Sequence, residues 1–244
     1  MVLRVCSNSD EVGTKVSQLI SDLSKQAVAT NDRFTIALSG GSLPKILNKG
    51  LQALKDDVDF SKWFVFFADE RCVPLDHDDS NYKACKAALL DFIPVPESQV
   101  YCIDASLTPQ EMALDYTKKL AEVWGSNLPR FDLILLGMGP DGHTCSLFPS
   151  HPLLEEKTRF VASLEDSPKP PPQRITFTYP VVNNAVNVAF VATGASKAEL
   201  MPHMLGIEKR TPSLPAANVK PTDGVVYWFI DEDAAAELSD AARM

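Results

Sequence analysis

A carboxylate and an imidazole stand two residues apart in the glycine-rich stretch Gly137-Met138-Gly139-Pro140-Asp141-Gly142-His143. Histidine is the side chain best suited to take a proton from water near neutral pH. An aspartate at this spacing in a turning loop can steady the ring and raise its basicity. The plainer alternative is a loop histidine hydrogen-bonded for structure; the glycine-rich setting favours chemistry. Upstream, Ser39-Gly40-Gly41-Ser42 precedes a helical stretch holding Ile46, Leu47 and Leu51. Two glycines let backbone N–H groups turn inward, and a following helix N-terminus adds partial positive charge, which suits a phosphate. Such turns can also serve only to reverse the chain. Asp69-Glu70-Arg71 sets three charges directly after the apolar Val65-Phe66-Phe67. Arg71 could receive an anion or stabilise an oxyanion, or the triplet could be a solvated turn with an internal ion pair. Arg174, in Gln173-Arg174-Ile175-Thr176, and Lys197, in Gly194-Ala195-Ser196-Lys197, are each readable alone as surface charges. Together they could supply the local positive field that an acidic chain needs to hold a phosphate.

These groups lie far apart in sequence and need a scaffold that gathers them. Apolar runs at residues 3–6, 34–38, 63–67, 100–103, 131–136, 175–178, 188–192 and 226–230 read as strands, several of them apolar on both faces. Between them lie helical stripes. Val12, Val16, Leu19, Ile20, Leu23 and Ala27 form one. Another opens on Thr108-Pro109-Gln110-Glu111, a capping-box signal, and runs through Tyr116, Leu120 and Val123. Alternation of this kind predicts an α/β fold with right-handed crossovers and a mainly parallel sheet. Ligands bind beyond the carboxyl ends of such strands, where the loops at 39–42, 68–71 and 137–143 should share one rim. The run Ser167-Pro168-Lys169-Pro170-Pro171-Pro172 cannot be helix and is expected to be extended. It is too short to divide the chain, so residues 1–244 are read as one domain.

Composition narrows the function classes. The formal charge of −9 makes nucleic acid and anionic membrane poor partners. Five cysteines sit singly without a CxxC pair, as expected for reduced thiols. No apolar window is long enough to cross a bilayer and no signal peptide is visible, so the expected location is cytoplasmic. Gly137–Gly142 matches GxGxxG, but Pro149 and Pro152 interrupt the helix that a dinucleotide fingerprint requires. A Walker loop is absent. His143-x-Cys145 with His151 fits no common zinc spacing, and Ala198 stands where a nucleophile elbow needs its second glycine. Trp63, Trp124 and Trp228 sit in apolar contexts that suit a core.

In order, Leu38-Ser39-Gly40-Gly41-Ser42, Asp69-Glu70-Arg71 with Val73-Pro74, Ser80-Asn81-Tyr82, the 137–144 loop, Ser146-Leu147-Phe148-Pro149, Pro171-Pro172-Gln173-Arg174-Ile175-Thr176 and Gly194-Ala195-Ser196-Lys197 resemble the 6-phosphogluconolactonase family over nearly the whole chain. One departure is Leu43, where many members of that family carry threonine. The resemblance implies a Rossmann-like three-layer α/β/α sandwich and hydrolysis of a phosphorylated sugar lactone in the oxidative pentose phosphate pathway. It implies no cofactor and no metal, and a monomer is expected. Carried over, His143 is the base that activates water, Asp141 orients it and Arg71 lies beside the substrate. Gly40, Gly41, Ser42, Arg174 and Lys197 hold the phosphate, and Asp69, Glu70 and Asn81 are further candidates for substrate contact. Two rival readings are a non-catalytic sugar-phosphate sensor and an amino-sugar-phosphate deaminase or isomerase. Deaminases of that type resemble the loop up to GxDGH but continue to a glutamate, and here Phe148 takes its place.

Overall fold

The structure, a computed structural model, describes residues 1–243. Six parallel strands form the central sheet in the order β1-β9-β8-β5-β2-β3. They are β1 (Val2–Cys6), β2 (Phe34–Leu38), β3 (Trp63–Phe67), β5 (Leu133–Gly137), β8 (Asn187–Ala192) and β9 (Val225–Asp231). Side chains alternate across it, as the two-residue period of a strand demands. Along β5, Leu133 and Leu135 join one buried cluster while Ile134 and Leu136 join the other. The first cluster takes in α1 (Ser9–Asn31) and α2 (Leu43–Ala53). The second takes in α4 (Pro109–Trp124), which follows the short α3 (Asn81–Ala88). Helices therefore cover both faces, giving the expected three layers. Among the described residues no helix is long and apolar enough to cross a membrane.

Helix starts follow local chemistry. Thr108 and Glu111 form the capping box that opens α4, each binding the other's backbone N–H. At α1, Asn8 accepts from the Glu11 N–H while the Glu11 carboxylate accepts from the Ser7 N–H and hydroxyl.

Six of the expected strands build the central sheet, a seventh lies in a smaller sheet, and one strand expectation needs correction. Residues 100–103 pair with β3 through one isolated bridge between Val65 and Val100 rather than as a strand, although the Tyr101 ring stacks on Phe66 at 4.3 Å. The carbonyls of Tyr101 and Cys102 are taken instead by the Tyr116 hydroxyl (2.9 Å) and the Lys119 ammonium (2.7 Å), both on α4. Side chains satisfy what a strand would have paired. The run at 175–178 is a strand as expected, β7 (Arg174–Phe177), and lies outside the parallel sheet. This strand lies between β4 (Asp69–Arg71) and β6 (Val161–Leu164) in a small antiparallel sheet. The proline run is the loop of the β6–β7 hairpin, where Leu164 pairs with Arg174, rather than an extended connection. Prolines lack the N–H groups that would pair their neighbours' carbonyls. Arg174 supplies donors instead, from Nε to Pro171 O (3.0 Å) and from Nη2 to Lys169 O (3.0 Å) and Pro170 O (2.9 Å). The result is a strap, residues 167–172, folded back over one end of the central sheet.

Candidate active site

Strands β2 and β5 are neighbours, with β3 and β8 on their outer sides, so their carboxyl ends share one rim. A cavity of about 260 Å³ opens there, lined by Gly40, Gly41, Ser42, Arg71, Asn81, His143, Arg174 and Lys197 among others. It is smaller than a drug-sized pocket of about 300–1,000 Å³, which suits a ligand of monosaccharide size. A larger cavity of about 630 Å³ around Lys209, Arg210 and Lys220 contains none of these residues. Chemistry rather than size marks the smaller one.

On one wall the Asp141 Oδ1 lies 2.5 Å from the His143 Nδ1. A carboxylate at that distance fixes the proton on Nδ1 and leaves the lone pair on Nε2, which has no protein partner among the described residues. Gly139 makes room for this pair: a Cβ there would sit 2.1 Å from the imidazole and 2.7 Å from the Asp141 Oδ1. Burial pushes the imidazole below its ordinary value and the nearby Lys169 acts the same way, against the pull of Asp141. Burial would raise the Asp141 carboxyl, but hydrogen bonds and charge from His143 and Lys169 outweigh it and hold it at about 2. Asp141 thus stays ionised and behind the ring; it does not line the cavity.

The opposite wall is built from β2, β4 and their loops. The Asn81 amide donates to Asp69 O at 2.9 Å, and the Asp69 Oδ2 accepts from the Ser146 hydroxyl at 2.7 Å. Asn81 comes so close to Gly40 that a Cβ on that glycine would lie 1.9 Å from its Oδ1. Arg71 donates from Nη1 to Asp79 O at 2.5 Å, while its buried Nε and the buried Ser39 hydroxyl have no partner among the described residues. Both residues line the cavity, so unused polar atoms stand ready beside it. Lys197, on the short 3-10 helix Ala195–Leu200 beyond β8, also lines it, and burial lowers its ammonium from the ordinary value, with Lys169 adding to the effect.

Glu70 stands apart from the other candidates. Its carboxylate accepts from the N–H groups of Arg71 (2.8 Å), Asn81 (2.7 Å) and Tyr82 (2.7 Å), so it holds the start of α3. It is 1% exposed and outside the cavity lining, a position that serves the scaffold rather than contact with a ligand. Burial raises it to about 7 against the pull of those three donors.

Residues 7–228 match the family described as glucosamine-6-phosphate isomerases/6-phosphogluconolactonase. The chain is 45% identical to the 6-phosphogluconolactonase of Rattus norvegicus and 46% identical to that of Homo sapiens, in each case over 98% of this chain and 94% of the relative. A solved 6-phosphogluconolactonase from Trypanosoma cruzi superposes with a TM-score of 0.84 at 30% identity, covering 98% of this chain and 97% of that one. The chain belongs by this match to the glucosamine-6-phosphate isomerase/6-phosphogluconolactonase family.

Phe148 is the residue on which the sequence resemblance weighed its two chemistries. Here Phe148 is buried, its ring 4.8 Å from that of His143 and 5.7 Å from the Arg174 guanidinium. It therefore packs under the His143 ring and the Arg174 guanidinium, and brings no carboxylate. Sequence reasoning missed Lys169, whose Nζ lies 3.1 Å from the Asp141 Oδ1 and 3.2 Å from the His143 Nδ1. Its only sequence signal was a lone cation inside the proline run. Met138, Val191 and Thr193 also line the cavity and carried no signal beyond their places at or just past strand ends, and Cys145, weighed in the sequence only as a metal ligand, lines it too.

Proposed function

We propose that this chain hydrolyses 6-phospho-D-glucono-1,5-lactone to 6-phosphogluconate. The reading is carried by one observation: the His143 imidazole and the cations Arg71, Arg174 and Lys197 line the same small cavity. The names of the rat, human and T. cruzi relatives support the same substrate. In this reading the phosphate is held by the Gly40-Gly41-Ser42 amides at the mouth of α2, by Lys197 and by the free donor of Arg174. Asp69 and Asn81 face the sugar hydroxyls.

His143 Nε2 takes a proton from water as the oxygen attacks the ring carbonyl, and Asp141 steadies the imidazolium that forms. Arg71 stabilises the tetrahedral oxyanion. Collapse breaks the ring C–O bond, and the imidazolium returns its proton to the departing alkoxide, which is tethered to the same molecule. A δ-lactone is a reactive ester, so positioning through the remote phosphate, one base and one oxyanion donor suffice. The product enters the oxidative pentose phosphate pathway.

The test is acid release from freshly made 6-phosphogluconolactone, with the spontaneous opening subtracted. His143→Ala should lower kcat by roughly 10²–10⁴-fold with little change in KM. Turnover unchanged in that variant would remove His143 from the mechanism. Wild-type protein that binds the lactone without accelerating its opening would be a sensor instead.

A further inference from the structure

The strap offers a group that neither the family resemblance nor the proposed reaction uses. Lys169 projects from a loop of prolines, and its ammonium reaches the side of the Asp141–His143 pair away from the unoccupied imidazole nitrogen. Its backbone is fixed: the Ser167 hydroxyl donates to Lys169 O at 2.7 Å and accepts from Lys169 N at 3.2 Å, and the Arg174 Nη2 binds the same carbonyl at 3.0 Å. Arg174 itself is 4% exposed and anchored at Ser146 by Nη1 at 3.4 Å. A lysine held this firmly, on a segment that pays little further entropy to order, is placed rather than incidental.

The geometry points to Lys169 as a positioning residue that acts on substrate through His143, its ammonium pinning the Asp141 carboxylate against Nδ1 while opposing positive charge on the ring. This rests on the proposed role of His143 as base. Two consequences follow. Pinning removes the freedom of Asp141 to swing away from the ring between turnovers. Like charge beside Nδ1 keeps the imidazole neutral, ready to accept a proton, at lower pH than Asp141 alone would allow. It also makes the imidazolium a stronger acid, which favours return of the proton to the alkoxide.

Other charges face the same ring. Asp141 comes from its own loop and Asp69 from β4, both favouring the imidazolium. Arg71, Arg174 and Lys197 surround the cavity in front of it. Lys169 is the cation in direct contact with Nδ1, so its removal should dominate the change.

The experiment titrates the His143 ring by NMR in the free protein, where the substrate phosphate cannot contribute. The chain has four histidines, and His143→Asn identifies the resonance by its loss. Wild-type His143 should titrate below its ordinary value of 6.5. Lys169→Met and Lys169→Gln should each move that midpoint up by about one pH unit, and Lys169→Arg should leave it near wild type. The acid limb of kcat/KM should move up with it. The side chain of Lys169 is 35% exposed, so the neutral variants should fold, and an unchanged thermal melt verifies this. A midpoint unmoved or lowered in both neutral variants overturns the proposal. If instead the midpoint moves as expected but His143→Asn keeps full turnover, the tuning stands and the assignment of the base falls.

Discussion

Gly139→Ala tests the architecture of the site with one methyl group. A Cβ at 139 would stand 2.1 Å from both Nδ1 and Cε1 of His143, where ordinary van der Waals contact begins near 3.4 Å. The ring must therefore retreat by more than an ångström, or the loop must open. Opening is resisted from both ends: Gly139 N–H donates to His143 O at 2.9 Å, and Gly142 N–H donates to Gly139 O at 3.0 Å. The cheaper route is displacement of the imidazole, with Asp141 disturbed as well because its Oδ1 would lie 2.7 Å from the new methyl. A misplacement of about 1 Å at a catalytic group costs roughly 10²-fold in rate. Steady-state kinetics on the phosphorylated lactone should therefore show kcat down by about that factor, with KM within a few-fold of wild type because the cations are untouched. The thermal midpoint should move by only a few degrees, since neither Gly139 nor His143 belongs to either buried cluster. If Gly139→Ala retained kcat within threefold, the imidazole at the observed position would not be the base.

Two further perturbations separate roles that the sequence alone could not. Lys197→Ala should raise KM by about 10–100-fold and leave kcat nearly unchanged, the signature of lost uniform binding to a charged group. Arg174→Ala should raise KM and also lower kcat, because it frees the strap carbonyls and with them Lys169; a pure KM effect in steady-state kinetics would refute that second duty. Tyr116→Phe should cost stability alone. Its hydroxyl accepts from Phe67 N–H at 2.8 Å and donates to Tyr101 O at 2.9 Å, and removing it strands a buried donor at a cost of about 1–3 kcal/mol. For a chain of this length that corresponds to roughly 3–10 °C in a melting experiment, with kcat unchanged.

Much of this arrangement was legible because two-faced apolar runs leave few options. Residues 34–38 and 63–67 are strands to the residue, since runs apolar on both faces must lie inside a covered sheet. The loops at 39–42 and 137–143 could be placed on one rim by topology alone. The run at 100–103 has the same apolar look, yet Tyr116 and Lys119, more than a dozen residues on, claim its carbonyls. Local pattern cannot reveal such a distant competitor. Asp69-Glu70-Arg71 looked like a loop because it is charged, but it pairs with β7 and each side chain goes a different way. Asp69 and Arg71 turn to the cavity, while Glu70 turns to the α3 amides. A strand's alternation fixes that split, and it became visible only once the pairing partner was known. Lys169 was hidden for the opposite reason: a proline run suggests reach, and here the run folds back on Arg174.

The proposed attack by water rather than by a protein nucleophile also has a physical basis in the cavity. Cys145 lines it, close enough to be considered for covalent attack on the lactone carbonyl. The reactive form of cysteine is the thiolate, favoured by neighbouring cations or a helix N-terminus. Here burial raises the thiol well above its ordinary value, and the charge of Asp69 raises it further. The carboxylates that make the chain acidic overall thus reach into the site, and they act differently on its two candidate reactive groups. Asp141 is held ionised next to a ring that it orients, while Asp69 helps to keep a buried thiol protonated. The cations Arg71, Arg174 and Lys197 line the remaining surface, where the proposed anionic substrate would sit against the repulsion of a chain of net charge −9. In the proposed reaction this leaves the imidazole and a water to react, which is sufficient for an ester already strained toward opening.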